Sequence, residues 1–209
     1  MTSLLSGHYF LTGTDTDAGK TWVACALLRQ ARAAGLSTLG LKPVAAGAEQ
    51  VAGEWCNEDA QQLMAASSVQ LPYEQVNPIL LREPMAPHLA ARREQRTLAA
   101  TRIAGYVRGA MAAKPDLLLV EGAGGWRVPL NDRETLADLA VALQLPVILV
   151  VGMRLGCLNH ALLTAEAIMR DGLPLAGWVA NTVPGTAMAA EADNIATLEQ
   201  WLPAPRIVP

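Results

Sequence analysis

With 209 residues and a net charge of −3 spread over both signs, the chain has room for one domain with a substantial core, and it lacks the basic footprint of a nucleic-acid binder. Apolar residues make up 52% and aromatics only 4%, which suits helices packed closely on a sheet. Three scattered cysteines (Cys25, Cys56, Cys157) form no Cys-x-x-Cys pair and fit a reducing cytosol better than a bridged secreted scaffold. Residues Met1 to Gly7 lack the charged region of a signal peptide, and the longest apolar run, Leu145 to Met153, is too short for a bilayer and contains Pro146. These features lead us to expect a single domain over residues 1–209, cytoplasmic, with no nucleic-acid or membrane partner.

In chain order, His8 to Thr12 is a short apolar run that predicts a buried strand. The Gly13–Thr21 loop leads into a helix from Lys20 to about Ala34, with Gly35 as its C-terminal cap. A second strand, Thr38 to Lys42, stops at Pro43, and the Gly- and Ala-rich Val44–Cys56 segment is expected to be a loop. Asn57 caps a helix from Glu58 to Ser67 that has two acids in its first turn. From Val69 to Arg96 the prolines Pro72, Pro78, Pro84 and Pro87 predict a long irregular excursion, more often functional than idle in a compact domain. Thr97 is then expected to cap a helix reaching about Lys114. Leu117 to Val120 is apolar throughout and ends in Glu121 followed by Gly-Ala-Gly-Gly, the pattern of a buried parallel strand. A helix over Thr135–Leu143, a strand over Val147–Val151, a loop over Gly152–Asn159 and a helix through Arg170, closed by Gly172, come next. A strand over Leu175–Ala180 that ends in Asn181 and a last helix over Ala187–Trp201 complete the chain. Alternating helices with strands apolar throughout indicate an α/β fold whose mostly parallel sheet is covered on both faces.

Gly-Thr-Asp-Thr-Asp-Ala-Gly-Lys-Thr, between a strand and a helix, has the architecture of a phosphate-binding loop, which makes the fold P-loop NTPase-like. Free N–H groups at a helix start carry partial positive charge and suit a polyphosphate. Lys20, on a loop expected to be exposed, adds a full charge near the β- and γ-phosphates, and the Thr21 hydroxyl suits Mg²⁺. Five residues separate Gly13 from Gly19 where the usual motif has four. Lys42, Glu121 and Asn181 each sit just past a predicted strand on the same edge as this loop, where open α/β sheets bind ligands. Glu121, at the end of four apolar residues, is costly unless it meets a cation, and with Asp59 it offers the oxygens Mg²⁺ prefers. The alternative makes Glu121 a partner for Lys42 and Asp59 a helix N-terminal charge.

The phosphate loop, Lys42-Pro-Val-Ala, Asn57-Glu-Asp59-Ala, Val120-Glu-Gly-Ala-Gly-Gly125 and Gly177-Trp-Val-Ala-Asn181 together resemble the dethiobiotin synthetase family. Leu145-Pro-Val-Ile-Leu-Val-Val-Gly152 and Leu155-Gly-Cys-Leu-Asn-His160 do so too, and the five-residue gap in the loop is similar to that family's version. The matches run in order from residue 8 to about residue 205.

The resemblance implies an ATP- and Mg²⁺-dependent ligase that joins 7,8-diaminononanoate and CO₂ (bicarbonate in solution) into the ureido ring of dethiobiotin, through a carbamate and a carbamic–phosphoric anhydride. It implies Thr21, Asp59 and Glu121 around Mg²⁺, and catalytic roles for Lys42, Lys20 and Thr16. Gly13, Asp17, Ala18, Gly19, Lys20, Thr21 and Trp22 would surround the phosphates, together with Gly122, Ala123 and Gly124. Asn181 and Thr182 would reach the adenine, while Lys42, Ala46 and Gly125 would face the diamine. It also implies a homodimer with a shared site, in which Asn159 reaches the neighbour's substrate carboxylate. Read from the residues alone, Asn159 is an N-cap for the helix that follows.

The chain departs from the family pattern at Ala46, where a Ser or Thr is usual, and at Asp17, where Glu is commoner. It stops at Pro209, so the adenine pocket is expected to be looser or completed differently. His8, His88 and His160 have no metal-ligand spacing, His88 being expected in a loop of a substrate lid, and Trp126 is expected to pack. An ATP-switch protein of the partitioning or iron-protein type would carry a Lys near the loop's start, and positions 14 to 18 hold none. A cobyrinate-type amide ligase needs a glutaminase domain for which the length leaves no room. A related ligase for another diamine acid stays open because of Ala46.

Overall fold

The computed structural model describes residues 6–182 and 188–209. Five parallel strands form the central sheet: β1 (Gly7–Gly13), β2 (Thr38–Leu41), β7 (Leu117–Glu121), β8 (Val147–Gly152) and β9 (Leu175–Asn181). Their order is β2-β7-β1-β8-β9, so the strand carrying the phosphate loop is central. The apolar run of β7 splits by side-chain alternation. Leu118 and Val120 join the core beneath α5 (Ala100–Met111) and α6 (Leu136–Leu143), while Leu117 and Leu119 join the core beneath α1 (Lys20–Ala33). A third cluster packs Leu149 and Val151 with Trp178 under α7 (Cys157–Arg170) and α8 (Glu191–Trp201). The registers Leu11↔Glu121, Leu41↔Val120, Gly13↔Val150 and Gly152↔Asn181 bring all five strands to a common carboxyl edge.

Several expectations are corrected. The Val44–Cys56 segment is not a loop: β3 (Val44–Ala46) leads into a hairpin of β4 (Glu49–Val51) and β5 (Glu54–Cys56). Its turn holds Ala52 and Gly53 at φ of 53° and 89°, the conformation two-residue hairpins require, here adopted by an alanine. The Val69–Arg96 excursion contains α3 (Tyr73–Val76), β6 (Ile79–Leu81) and α4 (Pro87–Arg93), and β6 pairs in parallel with β3. Prolines set the boundaries here, since Pro87 starts α4, where its missing N–H costs nothing. His88 accordingly lies in a helix.

Thr97 is not a cap, because Ala99 occupies that position and the Ala100 N–H donates to Glu134 at 3.2 Å. By contrast, Asn57 caps α2 (Glu58–Ala66) as expected, accepting from the Ala60 N–H. Thr135 and Asp138 form a capping box on α6. The last helix begins at Glu191, and the expected start at Ala187 lies outside the described residues. Trp126 packs, meeting Phe10 edge-on with ring centroids 6.1 Å apart. Among the described residues, no helix is long and apolar enough to cross a membrane.

Candidate active site

A cleft of about 670 Å³ opens at the carboxyl edge of the sheet. Its floor is the phosphate loop and the start of α1. The loop approaches its neighbours too closely for larger residues: Gly19 sits at φ 85°, and a Cβ there would come within 2.0 Å of the Asn181 amide. Asn181 is buried and donates from Nδ2 to the Ala18 carbonyl at 2.9 Å, so the end of β9 clasps the loop from outside the cleft. At the loop's other end, Asp15 accepts from the Thr16 N–H at 2.8 Å and pairs with Arg154. Lys20, expected to be exposed, is only 6% exposed, and its Nζ donates to the Asp15 carbonyl at 3.1 Å. Burial, and then the neighbouring charge of Lys42, lower its pKa. A cation held there without a partner carboxylate within bonding distance is suited to an anionic ligand.

The opposing wall is an ion cluster. Lys42 donates to Asp59 Oδ2 at 2.8 Å, to Glu121 Oε1 at 2.6 Å and to the Gly122 carbonyl at 3.3 Å. Burial alone would lower the pKa of Lys42, but the charges of Glu121 and Asp59 outweigh it and raise it. Asp59 shows the converse: burial would raise its carboxyl, yet Lys42 holds it below its ordinary value. Thr21 donates to Glu121 Oε1 at 2.8 Å, while Glu121 Oε2 is buried without a partner. A fully buried carboxylate with one orphaned oxygen is a polar group whose demand the described residues leave unmet.

The cleft brings together most of the residues singled out in the sequence: Thr16, Asp17, Gly19, Lys20, Thr21, Trp22, Lys42, Ala46, Asp59, Glu121, Ala123 and Gly124. Gly13 and Ala18 underlie the loop, Gly122 backs onto the Phe10 ring, and Gly125 packs over the Gly13 and Thr14 carbonyls. Two residues stand apart. Thr182 is exposed and donates to Glu191 at 2.7 Å. Asn159 is exposed, away from the cleft, and is the third residue of α7 rather than its cap, a position held by Gly156 in a left-handed conformation. The sequence reading missed the wall made by Pro84, Met85, Ala86 and Pro87, although the functional reading of the proline-rich segment pointed to it. It also missed Asn57, whose capping role was clear and whose position on the cleft was not. Among the described residues, no group of three or more His, Cys, Asp or Glu side chains gathers as a metal centre.

A family model described as an AAA domain matches residues 7–208. The ATP-dependent dethiobiotin synthetase of Cellvibrio japonicus is 59% identical over 94% of this chain and 86% of its own length. That of Pseudomonas aeruginosa is 58% identical with the same coverage, and that of Aromatoleum aromaticum 54% over 94% of this chain and 87% of its own. Among solved structures, chloroplast FtsY from Physcomitrella patens superposes with a TM-score of 0.57 at 17% identity, covering 99% of this chain and 60% of that one. FtsY from Thermotoga maritima gives 0.55 at 15%, covering 96% of this chain and 60% of that one. The latter pair establish the P-loop NTPase-like fold alone. The phosphate loop, the ion cluster beside it and relatives more than half identical over nearly the whole length lead to one conclusion: the chain belongs to the ATP-dependent dethiobiotin synthetase family, and is a ligase.

Proposed function

We propose that this enzyme serves biotin biosynthesis by closing a ureido ring on 7,8-diaminononanoate with CO₂ and ATP, releasing dethiobiotin, ADP and phosphate. The observation that carries the reading is the convergence of Lys20, Lys42, Asp59, Glu121 and the Thr21 hydroxyl on one cleft with no Cys, Ser or His among its described lining residues. Such a site positions reactants and stabilises charge; it offers no thiol, serine or imidazole nucleophile. One substrate amine adds to CO₂ to form a carbamate and loses a proton. A carbamate oxygen then attacks the γ-phosphorus and ADP leaves. The second amine attacks the carbonyl carbon of the resulting mixed anhydride, and phosphate leaves. Lys20 and the N–H groups at the start of α1 hold the phosphates, and Lys42 stabilises the carbamate. Thr16 and Asp17 stand at the junction between phosphate and diamine, and the Gly122–Gly125 backbone closes over the reacting atoms. Asn181 and Thr182, at the end of β9 outside the cleft, would meet the adenine beyond the phosphate loop. The whole of residues 1–209 acts as a single ligase domain, a reading supported by one family match over residues 7–208.

Thr21, Asp59 and Glu121 fit Mg²⁺, since the orphaned Glu121 Oε2 and the Thr21 hydroxyl bonded to Oε1 of the same carboxylate offer hard oxygen donors side by side. Bound there, the ion would neutralise charge on the transferring phosphoryl group. Three protein groups are too few for an all-protein cage, which accords with Mg²⁺ keeping water and phosphate oxygens. For Glu121→Gln we expect the Mg²⁺ concentration for half-maximal turnover to rise roughly tenfold or more. A titration that superimposes on wild type would remove Glu121 from the metal site.

Incubation with ATP, bicarbonate and 7,8-diaminononanoate, with dethiobiotin followed by mass spectrometry, tests the whole assignment. ATP hydrolysis with no dethiobiotin formed would point to a different diamine acid. The half-buried Ala46 lines the cleft, and it is the observation that keeps such a substrate open. Ala46→Ser should lower the KM for the diamine about fivefold, the worth of one recovered hydrogen bond of ~1 kcal/mol, and leave the KM for ATP unchanged. A diamine KM that stays fixed or rises removes Ala46 from the substrate's path.

The enzyme also works as a homodimer with a shared site. Leu155, two residues before α7 begins, is 94% exposed, and Leu163, one turn beyond Asn159 on that helix, is 56% exposed. Exposed apolar side chains on both sides of a polar residue are suited to a two-fold partner.

A further inference from the structure

Lys42 is assigned to a carbamate, yet its surroundings leave it nothing to offer one. An ammonium has three N–H donors, and those of Lys42 meet three acceptors: Asp59 Oδ2 at 2.8 Å, Glu121 Oε1 at 2.6 Å and the Gly122 carbonyl at 3.3 Å. The side chain is only 4% exposed and meets the cleft with its donors already engaged. The Glu121 oxygen that Lys42 holds also accepts from Thr21 at 2.8 Å. The network therefore engages all three groups that Mg²⁺ would need, with the ammonium at its centre, and leaves Glu121 Oε2 open.

We infer that Lys42 is a stand-in for the divalent ion: its ammonium neutralises Asp59 and Glu121 until Mg²⁺ enters with ATP, and the same event frees Lys42 to turn to the carbamate. The inference rests on the reading of Thr21, Asp59 and Glu121 as metal-binding. Its logic is electrostatic. Glu121 is 0% exposed, and a carboxylate so deeply buried is held only with a cation beside it. Lys42 supplies that cation from the end of β2, a rigid element, so the carboxylates are kept in place and do not collapse onto other groups. Two cations on one pair of buried carboxylates repel strongly, so the arrival of Mg²⁺ at Asp59 and the orphaned Glu121 Oε2 favours the departure of the ammonium from Oε1. Lys20 lies in the same cleft but bonds only to the Asp15 carbonyl, so it adds to the positive field without occupying the acidic pair. Two consequences follow. The metal binds poorly before the nucleotide, because it has to displace an ammonium with no phosphate charge to help. The charge of Lys42 reaches the substrate only in a cleft that already holds ATP.

The test uses Mn²⁺ as a paramagnetic probe, with binding read by electron paramagnetic resonance on protein without nucleotide. Lys42→Met should bind Mn²⁺ at least about tenfold more tightly than wild type, whereas Lys20→Met, which removes an equal charge and leaves the carboxylates occupied, should gain less than about threefold. Equal gains in the two variants would mean a general field effect, and no gain in Lys42→Met would mean no competition; either overturns the exchange. Adding Glu121→Gln to Lys42→Met should abolish the gain. If the gain survives, the ion sits elsewhere, and it is the metal assignment that fails. Should Lys42→Met not fold, wild-type protein carrying ¹⁵N-lysine answers the question. The Lys42 ammonium signal should move when Mg²⁺ and a non-hydrolysable ATP analogue are added together, and not when the analogue is added with a chelator. A signal unmoved by the pair would overturn the inference.

Discussion

Lys20→Ala should lose about a hundredfold in kcat, equivalent to ~3 kcal/mol of transition-state stabilisation, and the protein should remain folded. The side chain is buried, at 6% exposure, but its Nζ makes one hydrogen bond, to the Asp15 carbonyl at 3.1 Å, and no salt bridge. Removing it therefore strands no carboxylate, in contrast to Lys42, whose loss would leave Glu121 bare. Lys20 is also the first residue of α1, where alanine is the best-tolerated replacement. The loop keeps its other supports, since Asn181 still clasps the Ala18 carbonyl and Arg154 still pairs with Asp15. What disappears is a cation whose pKa is lowered by burial and by Lys42, a cost in the protein that the negative charge of a polyphosphate relieves. The measurement is steady-state turnover beside a thermal unfolding curve. Near-normal turnover would refute the phosphate-loop assignment, and a collapsed unfolding midpoint would show that Lys20 serves the fold.

The parts of this molecule legible in the sequence are those where local and tertiary demands agree. Leu117–Val120 and Val147–Val151 are apolar throughout because both faces of a parallel strand are covered, and both are strands. Because all five strands end on one edge, a polar residue after an apolar run, such as Lys42, Glu121 or Asn181, had to fall at or beside the phosphate loop. The failures have the opposite character. The Glu49–Cys56 hairpin is exposed over most of its length and carries no burial pattern, and its turn depends on Ala52 tolerating a positive φ. Thr97 had the chemistry of a cap, but Glu134, far along the chain, satisfies the helix N–H group instead. The Arg154–Asp15 pair joins residues 139 apart, and no local pattern announces it.

Mixing two inactive variants, Lys20→Ala and Asn159→Ala, should restore activity once subunits exchange. Asn159 does not line the cleft of its own chain, yet it lies in the first turn of α7, which begins just beyond the end of β8 on the active edge of the sheet. The first turn of α7 has no side-chain cap, because Gly156 holds the N-cap position; the Cys157 N–H donates to the Arg154 carbonyl, and those of Leu158 and Asn159 are suited to a carboxylate. The carboxylate of an extended diamino acid lies far from the two amines that must sit beside the phosphates. A second copy of the chain provides a surface at that distance, and the exposed Leu155 and Leu163 flanking Asn159 give it apolar area to bury. In a mixed dimer with Asn159 acting across the interface, one site carries both lesions and the other carries neither. Half of the dimers in an equimolar exchanged mixture are mixed, so activity should return to about a quarter of wild type. If Asn159 instead serves its own subunit, every site keeps one lesion and no activity returns. A flat mixing curve between two inactive parents, with exchange demonstrated by native mass spectrometry, would sink the shared site.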